Sequence, residues 1–467
     1  SYKLDYIAHF ELGKQKLDYS EYGSLHTLYK NNYAKFLEYN VRDVVLVEEL
    51  EDKLGFLDLT QAMAYDAKCN YIDTFGMVKY WETIIYNFLK EQGIQTPPQK
   101  LDRSKQHSIV GAYVKEPIPG SYDWVVSFDL NSLYPHLMLQ FNMSPETWID
   151  DRREYVTQDM VLTDDYVNDD PSVSVAANGV CFNNKKVGII PEIIDEYYNN
   201  RSVIKKQMIA VEQQLEVETD AREIKRLKRE VNQLHNSQMS IKIAMNSLYG
   251  ATANKYFLYY ISEMAEAITT SGQLAIRYAQ KSVNNYMNKV LGTKDKDYII
   301  YIDTDSIYVN FGDLIQEVFG TKDIDKKQGE EFLDKICSTK IEQVIENGYL
   351  ELQRQMGAYR NAMVMKREKI TDRAIFVAKK RYILNVLNSE GVHYEKPKIS
   401  VTGLESVRSS TPEVCREKMR SVFSVIMNGT ESDVQIYIKD FRDEFKSLPV
   451  EAIAKTSGTD DIEKYKH

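Results

Sequence analysis

The chain has 467 residues, of which 43% are hydrophobic and 27% are charged, and its formal net charge is −10. This composition is typical of a globular protein with roughly three or four domains of about 100–200 residues each, and it excludes a disordered chain, a collagen-like repeat and a small disulfide scaffold. No stretch approaches about 18 consecutive apolar residues, so we expect no membrane-spanning helix and no membrane partner.

The cysteines and histidines limit the expected redox and metal chemistry. The four cysteines are far apart and form no CxxC pair, which predicts free thiols in a cytoplasmic compartment. The seven histidines show no zinc-binding spacing, so any metal ion would be bound by carboxylates. The chain begins with Ser1 and lacks a secretory signal, and we expect a processed product, a trimmed chain or a fragment.

The predicted secondary structure combines helices and strands. We expect helices from 1 to about 101 and after Gly403, strands at 123–129 and 381–387, and a polar loop at 151–186. Residues 191–250 contain almost no Gly or Pro, which predicts two antiparallel helices that reverse near 216–220, with Pro191 in the first turn. Residues 298–311 predict a β-hairpin, because two β-branched and aromatic runs flank a short polar turn.

Two carboxylate motifs lie at the ends of predicted strands. Asp129 ends the first strand, and a turn before Pro135 would expose backbone N–H groups that suit an anionic ligand. Asp129 could equally be a helix N-cap or a turn residue. Asp303 and Asp305 lie at the tip of the hairpin, where two like charges are poor turn chemistry unless a cation neutralises them. A plain solvated turn is the alternative.

A third motif lies on the second long helix. Lys242, Asn246 and Tyr249 are spaced i, i+4 and i+7, so they share one stripe. An adjacent apolar stripe would face the core and contains Ile241, Met245 and Leu248. Gly250 is predicted to be the C-terminal cap. An ordinary amphipathic helix would show the same pattern.

Taken together, these motifs predict a site for two Mg²⁺ ions, with Mn²⁺ as a substitute. Asp129 and the hairpin carboxylates would supply hard oxygen ligands for an in-line phosphoryl displacement, in which two metal ions lie about 3.5–4 Å apart. Arg201 and Lys205 lie one helical turn apart, and they can converge with Lys242 on a triphosphate if the two helices pack antiparallel. Without this context, such a basic pair is usually a solvated surface.

A basic stripe lies within this acidic chain. Between Arg354 and Arg381 there are nine Lys or Arg residues against two acids, Glu368 and Asp372. A local charge of +7 favours contact with a phosphate backbone. A solvated charged surface is the alternative.

The three motifs together resemble motifs A, B and C of family B DNA polymerases, with the greatest likeness to the replicative enzymes of tailed bacteriophages. The segments that resemble them are 127–135 with SLYP, 242–250 with KxxxNSLYG, and 301–308 with DTDS. The likeness extends over essentially the whole chain. It implies a multidomain α+β fold of the right-hand type, with an antiparallel-sheet palm, helical-hairpin fingers and a partial helical thumb. The implied regions are an exonuclease-domain remnant (1–55), a helical connector or N-terminal-domain remnant (56–100), the palm (101–187 and 255–397), the fingers (188–254) and a partial thumb (398–467).

The resemblance also implies roles for individual residues. Asp129 and Asp305 would bind the metal ions together with the Leu130 carbonyl, with Asp303 in the outer shell and Glu368 as an additional acid. Tyr134 would be the steric gate against a 2′-OH, next to Ser132 and Leu133 in the nucleotide site. The triphosphate contacts would be Arg201, Lys205, Lys242 and Asn246, with Lys242 as a proton donor to pyrophosphate. The DNA contacts would be Tyr249, Gly250, Lys379, Lys380, Arg381 and Tyr382.

The sequence departs from the family pattern in three places. Ser400 stands where the family usually has a lysine of a KxxGxE element, which puts that duplex contact in doubt. Tyr39 and Asp43 resemble the third exonuclease motif, but the first two motifs are absent, so we expect no proofreading by this chain. The thumb is expected to be incomplete, and without the terminal clamp-binding element we expect no sliding-clamp contact.

These features predict a template-directed DNA polymerase that adds dNTPs to the 3′ end of a primer on primer-template DNA and releases pyrophosphate, in the cytoplasm of a bacterial host. The alternative is a catalytically weak or inactive DNA-binding half of a split polymerase that needs an N-terminal companion chain carrying the exonuclease half. A nuclease is disfavoured, because only Tyr39 and Asp43 remain of that site. RNA-dependent synthesis is also disfavoured, because Tyr134 favours deoxynucleotides.

Overall fold

The computed structural model describes residues 3–98, 109–408 and 410–454. These residues belong to two compact units, one formed by Ser1–Arg103 with Ile193–Tyr260 and the other by Ser104–Glu192 with Ile261–His467. Helices and antiparallel strands are both present, which confirms the mixed fold. The domain boundaries implied by the family resemblance stay predictions.

The helices run through the whole described chain. In order they are α1 (Leu4–Leu12), α2 (Leu25–Asn31), α3 (Tyr33–Leu54), α4 (Phe56–Asp66), α5 (Met77–Glu91), α6 (Leu133–Phe141), α7 (Gln158–Leu162), α8 (Ile189–Val217), α9 (Ala221–Thr252), α10 (Ser262–Leu291), α11 (Gly312–Phe319), α12 (Lys326–Ile336), α13 (Glu342–Met356), α14 (Glu413–Asn428), α15 (Glu431–Ser447) and α16 (Val450–Ile453). Among the described residues, no helix is long and apolar enough to cross a bilayer. The four cysteines are free thiols, as their spacing predicts.

The strands form two sheets. They are β1 (Val114–Lys115), β2 (Gly120–Leu130), β3 (Trp148–Ile149), β4 (Val173–Val175), β5 (Cys181–Asn183), β6 (Ile299–Asp303), β7 (Ser306–Asn310), β8 (Met365–Ala378), β9 (Arg381–Ser389) and β10 (Val392–Thr402). The larger sheet has the order β1-β6-β7-β2-β8-β9-β10, with all neighbours antiparallel. The predicted first strand, the hairpin and the strand that begins at Arg381 are therefore confirmed.

The two long helices α8 and α9 confirm the predicted helical pair. Pro191 lies in the first turn of α8, where its missing N–H costs no helical hydrogen bond. The chain reverses between Val217 and Ala221, and the Asp220 side chain caps α9 by accepting hydrogen bonds from the N–H groups of Arg222 and Glu223.

The prediction that Gly250 caps α9 is wrong. The helix continues to Thr252, and its cap is Ala253. Ala251 and Thr252 are fully buried, and the Thr252 hydroxyl donates to the Tyr249 carbonyl over 3.0 Å. Burial of these two side chains outweighs the weak helix propensity of a single glycine.

The predicted polar loop at 151–186 is wrong in part. This segment contains α7 and two strands, and a three-stranded sheet with the order β3-β5-β4 is built from it and residues 148–149. Phe182 and Val175 are fully buried there. Gly179 joins β4 to β5 with φ +80°, and a Cβ at this position would lie 2.1 Å from the Arg153 carbonyl oxygen, so only glycine allows this turn. Strands of three residues are too short to give a clear alternating pattern.

The strand β8 was not predicted, although it is a central strand of the larger sheet. It pairs with β2 on one side and with β9 on the other. Its sequence begins with four charged residues in a run of five, Met365 to Lys369, which hides the period-2 pattern of a half-buried strand. The sequence of this segment therefore indicates only its charge.

Candidate active site

The end of β2 and the β6–β7 turn bring Asp129 and Asp305 together. Asp129 is the penultimate residue of β2 and pairs with Ser306 of β7. The backbone N–H of Leu130 donates to the Asp305 carbonyl over 2.9 Å, so the strand end and the turn are joined directly. Asp129 is a strand residue and not a helix N-cap, because the residue that precedes α6 is Ser132.

The turn between β6 and β7 is tight. Thr304 adopts the left-handed region with φ +63°, and the Asp305 N–H donates to the Asp303 carbonyl over 2.7 Å. A positive φ at a β-branched residue is strained. The two-residue turn, Thr304 and Asp305, places Asp305 two residues after Asp303, the last residue of β6.

Burial and like charge raise the pKa of both proposed ligand carboxyls. Burial, followed by the negative charges of Asp305 and Glu368, raises the pKa of Asp129 to about 7. The pKa of Asp305 is also raised, chiefly by burial and then by Asp303 and Glu368. In the described part of the chain, neither side chain has an ion pair. The site therefore lacks positive charge, which a divalent cation would supply.

Asp303 differs from Asp305 because it already has a cationic partner. The Lys380 Nζ lies 2.6 Å from Asp303 Oδ1, and the Tyr301 hydroxyl donates to Asp303 Oδ2 over 3.2 Å. The Lys380 N–H in turn donates to the Tyr301 hydroxyl over 2.8 Å. These three residues form a closed network in which both carboxylate oxygens of Asp303 have a partner.

Glu368 lies on β8 beside the end of β2. Its Oε2 accepts a hydrogen bond from Ser127 over 3.1 Å, and its Oε1 lies 2.6 Å from the Lys369 Nζ. It acts on both Asp129 and Asp305 through its charge. Its predicted role as an additional acid stays a prediction.

The residues present suit a metal ion that also binds substrate oxygens. Within residues 3–98, 109–408 and 410–454, no cluster of three or more His, Cys, Asp or Glu side chains could hold a metal ion. Mg²⁺ is usually bound by one or two carboxylates together with substrate phosphates rather than by a complete protein cage. Two unpaired carboxylates fit that arrangement.

Tyr134 lies in the first turn of α6, directly after the strand end. Ser132 precedes it in the left-handed region with φ +47°. A Cβ at Gly272 of α10 would lie 3.4 Å from the Tyr134 ring and equally close to Leu133 and Leu137. The Tyr134 ring therefore lies next to the backbone of α10 at Gly272.

The turn between β8 and β9 carries the predicted primer-end residues. Lys380 has φ +57°, and a Cβ at Gly403 would lie 1.8 Å from the Lys380 carbonyl oxygen, so Gly403 must be a glycine. The Tyr382 side chain is buried, and its hydroxyl lies 2.9 Å from that of Tyr308. Tyr382 therefore belongs to the core under the hairpin, and the DNA contacts predicted for this turn stay predictions.

The basic stripe is not an excess of free positive charge, which corrects the estimate of +7. Seven of its nine cations form ion pairs with acids, and six of those acids lie outside the segment. The pairs are Lys366–Glu342, Arg367–Asp334, Lys369–Glu368, Arg373–Asp123, Lys379–Glu116, Lys380–Asp303 and Arg381–Glu405. A charge sum along the sequence could not include these acids.

The predicted triphosphate contacts lie in the other unit, on α8 and α9. Arg201 Nε donates to Gln238 Oε1 over 3.3 Å, which joins positions at nearly equal distances from the reversal, as in an antiparallel hairpin. Lys205, Lys242 and Asn246 are exposed. The apolar stripe beside them is buried, as predicted, at Ile241, Met245 and Leu248; Tyr249 is half-buried and Gly250 is exposed.

Tyr39 and Asp43 lie on α3 and share a lysine. The Lys16 Nζ is 2.7 Å from Asp43 Oδ2 and 4.7 Å from the centre of the Tyr39 ring. An ammonium group thus neutralises the one carboxylate that resembles an exonuclease ligand. The predicted absence of proofreading stays a prediction.

The sequence analysis missed Tyr301 as a member of the site. Tyr301 and Asp303 are two residues apart on β6, and side chains at i and i+2 share a face of a strand. That spacing could have predicted their contact. The link from Lys380 to Asp303 had no such signal, because 77 residues separate them.

The family profile and the relatives that match this chain are all DNA polymerases. The profile of DNA polymerase family B matches residues 76–465. The DNA-directed DNA polymerase of Escherichia phage RB69 is 33% identical over 518 residues, which cover 100% of this chain and 56% of that protein. The DNA-directed DNA polymerase of Enterobacteria phage T4 is 32% identical over 517 residues with the same coverage. The DNA polymerase delta catalytic subunit of Plasmodium falciparum is 29% identical over 72% of this chain and 30% of its own length. The chain thus spans about half the length of the phage relatives.

We expect Asp129→Asn to stabilise the chain in the absence of divalent cations. The pKa of Asp129 is higher in the folded than in the unfolded state, so the folded state loses stability as the pH rises through about 7. After allowance for solvent screening, the gain in the free energy of unfolding at pH 8 should be about 1 kcal/mol, and it should be smaller at pH 5.

Urea unfolding in EDTA at the two pH values measures this change. Asp123→Asn, on the same strand but exposed, is the matched control and should change stability little. A variant at Asp129 that is less stable than the wild type at pH 8 would contradict the charge repulsion.

Proposed function

Since the chain belongs to DNA polymerase family B, we propose that it carries out template-directed DNA synthesis. It adds deoxynucleotides to the 3′ end of a primer and releases pyrophosphate, and its substrates are primer-template DNA and dNTPs. The observation that carries the proposal is the pair of partly buried carboxylates of Asp129 and Asp305, which have no ion-pair partner among the described residues, at the end of β2 and at the adjoining turn. In the right-hand arrangement of the family, the seven-stranded sheet is the palm, α8 and α9 are the fingers, and α14–α16 belong to the thumb.

Two Mg²⁺ ions, or Mn²⁺ in their place, would be held by Asp129, Asp305 and the Leu130 carbonyl. Bound there, they supply charge neutralisation at the attacking and leaving oxygens. Asp303 is held by Lys380 and Tyr301, which suits an outer position rather than direct ligation. Glu368 contributes further negative charge from β8.

We propose two groups of nucleotide contacts, one at the start of α6 and one on α8 and α9. Tyr134 excludes a 2′-OH by the volume of its ring, next to Ser132 and Leu133. The cations and the amide on α8 and α9 bind the triphosphate, and they are Arg201, Lys205, Lys242 and Asn246. We further propose that Lys242, which is exposed, donates a proton to the leaving pyrophosphate.

Primer-template DNA is bound by Tyr249 and Gly250 on α9 and by the turn at residues 379–382. Lys379 and Lys380 are ion-paired in the free protein, so phosphate groups would replace carboxylates as their partners. This exchange makes DNA binding sensitive to salt.

The second candidate function is DNA binding without synthesis, in a chain that needs a companion polypeptide. It is compatible with the ion-paired cations at the β8–β9 turn, whose carboxylate partners phosphate groups can replace without any chemical step. We also propose that this chain does not proofread, because its one acid of the exonuclease type, Asp43, is paired with Lys16.

Primer extension with the purified chain, dNTPs and Mg²⁺ tests the function. We expect extension by the wild type, and a loss of at least about 10²–10³-fold in kcat for Asp129→Asn or Asp305→Asn, because each change removes charge stabilisation from the reacting centre. Asp123→Asn is the matched control and should keep full activity.

Extension by both site variants at the wild-type rate would contradict the site assignment. DNA binding by the wild type without any extension would instead support the second candidate function. Addition of EDTA should abolish extension, and Mn²⁺ should restore it.

Tyr134→Ala should relax discrimination against ribonucleotides. The space left by the ring would admit a 2′-OH, so we expect the ratio of kcat/KM for dNTP over rNTP to fall at least tenfold. Tyr134→Phe keeps the volume and is the control. If Tyr134→Ala leaves the ratio unchanged, the gate is another residue.

A further inference from the structure

The second half of α9 is hydrogen-bonded to a buried tryptophan of α5. Trp81 is fully buried, and its Nε1 donates to the Ala244 carbonyl over 3.0 Å and to the Ser247 hydroxyl over 3.2 Å. The Ser247 hydroxyl also donates to the Ala244 carbonyl, over 2.8 Å. The Trp81 ring centre lies 6.1 Å from that of Tyr197 on α8, so this one side chain contacts both long helices.

A second hydrogen bond joins α9 to α4. Ser240, which is 1% exposed, donates to Asp66 Oδ2 over 2.7 Å. Burial raises the pKa of Asp66, although the hydrogen bond from Ser240 opposes the shift. The donor is buried in α9 and the acceptor is exposed on α4, so this hydrogen bond joins the two helices.

These bonds lie on the face of α9 opposite to the exposed polar side chains. Ser240, Ala244 and Ser247 are spaced i, i+4 and i+7, which places them on one face. Lys242 and Asn246 lie between them in sequence, and both are exposed. Within a single helical turn, a bond that fixes one face fixes the opposite face as well.

Apolar packing alone would not define the position of this helix so closely. Hydrophobic contacts are non-directional, so a helix held by them can rotate or slide by small side-chain adjustments. A hydrogen bond to a backbone carbonyl has a required distance and angle. Trp81 thus restrains both the rotation and the axial position of residues 240–247.

We propose that Trp81, assisted by Asp66, is a positioning residue for nucleotide binding through Lys242 and Asn246. This inference rests on the proposed function. It assigns to α4 and α5 an indirect part in nucleotide binding, through the position of α9.

Trp81→Phe tests the proposal, because phenylalanine keeps an aromatic ring but has no N–H donor. We expect the KM for the incoming dNTP to rise roughly threefold to tenfold, as loss of one hydrogen bond would give. The Kd for binding of the dNTP to the complex of the protein with primer-template DNA should rise by the same factor. The kcat at saturating dNTP should stay within about twofold of the wild type.

Trp124→Phe is the matched control. Trp124 is also buried, and its Nε1 donates to the Lys322 carbonyl over 2.8 Å, so the same type of bond is lost in the other unit. It should lower the melting temperature without changing the KM or Kd for dNTP. If Trp81→Phe behaves in the same way, Trp81 has only a structural role and the proposal is wrong.

Ser240→Ala provides an independent variant should Trp81→Phe not fold. It removes the bond to Asp66 and should raise the dNTP Kd in the same direction; an unchanged Kd would contradict the proposal. Failure of the proposed function can be told apart from failure of this inference. The first appears as absent primer extension by the wild type, whereas the dNTP Kd of the variants decides the positioning role. A wild-type chain that binds no dNTP would overturn both.

Discussion

The partial burial of two carboxylates without cationic partners among the described residues is the constraint on which the candidate site depends. The register of β2 with β7 and the bond from Leu130 N–H to the Asp305 carbonyl join the backbones of the two segments that carry Asp129 and Asp305. Burial is the main cause of the raised pKa of both carboxyls, and the negative charge of Asp305 adds to the shift at Asp129. Two carboxylates without cationic partners at adjoining positions are expected if both bind a cation during function.

The same electrostatic logic orders the surroundings of the site. Asp303 is neutralised by Lys380, and Glu368 by Lys369, so the deficit of positive charge is confined to two of the four acids. The Lys380 turn is packed against Gly403 and is bonded to Tyr301. The acid-bearing hairpin, the β8–β9 turn and the start of the C-terminal segment are therefore mechanically linked.

Ion pairing also changes how the overall charge should be interpreted. A net charge of −10 argues against a polyanionic partner, and a local +7 argues for one, but neither sum describes the folded surface. Most cations of β8 and its turn are paired with acids from distant segments. In the proposed complex with DNA, phosphate groups would replace these acids as partners, so the net gain in binding would be smaller than the count of lysines suggests.

The sequence predicted those parts of the fold whose pattern is local. The hairpin at 298–311 was predicted because its strands are β-branched and aromatic, and α8 and α9 because they lack helix breakers. β8 was not predicted, because its charged side chains are paired by residues that only the fold brings close. The bond from Trp81 to Ala244 spans 163 residues and leaves no mark in either local sequence. Within the site, the motifs predicted the carboxylates. Only the structure shows the roles of Tyr301, of Lys380 as the partner of Asp303, and of Trp81.

The number of divalent ions bound with substrates tests the central claim most directly. Electron paramagnetic resonance can count Mn²⁺ ions bound to the complex of the chain with primer-template DNA and a non-hydrolysable dNTP. We expect about two ions for the wild type and for Asp123→Asn, and at least one fewer for Asp129→Asn or Asp305→Asn. Equal Mn²⁺ binding by the wild type and both of the latter variants would contradict the assignment of Asp129 and Asp305 as the metal-binding carboxylates.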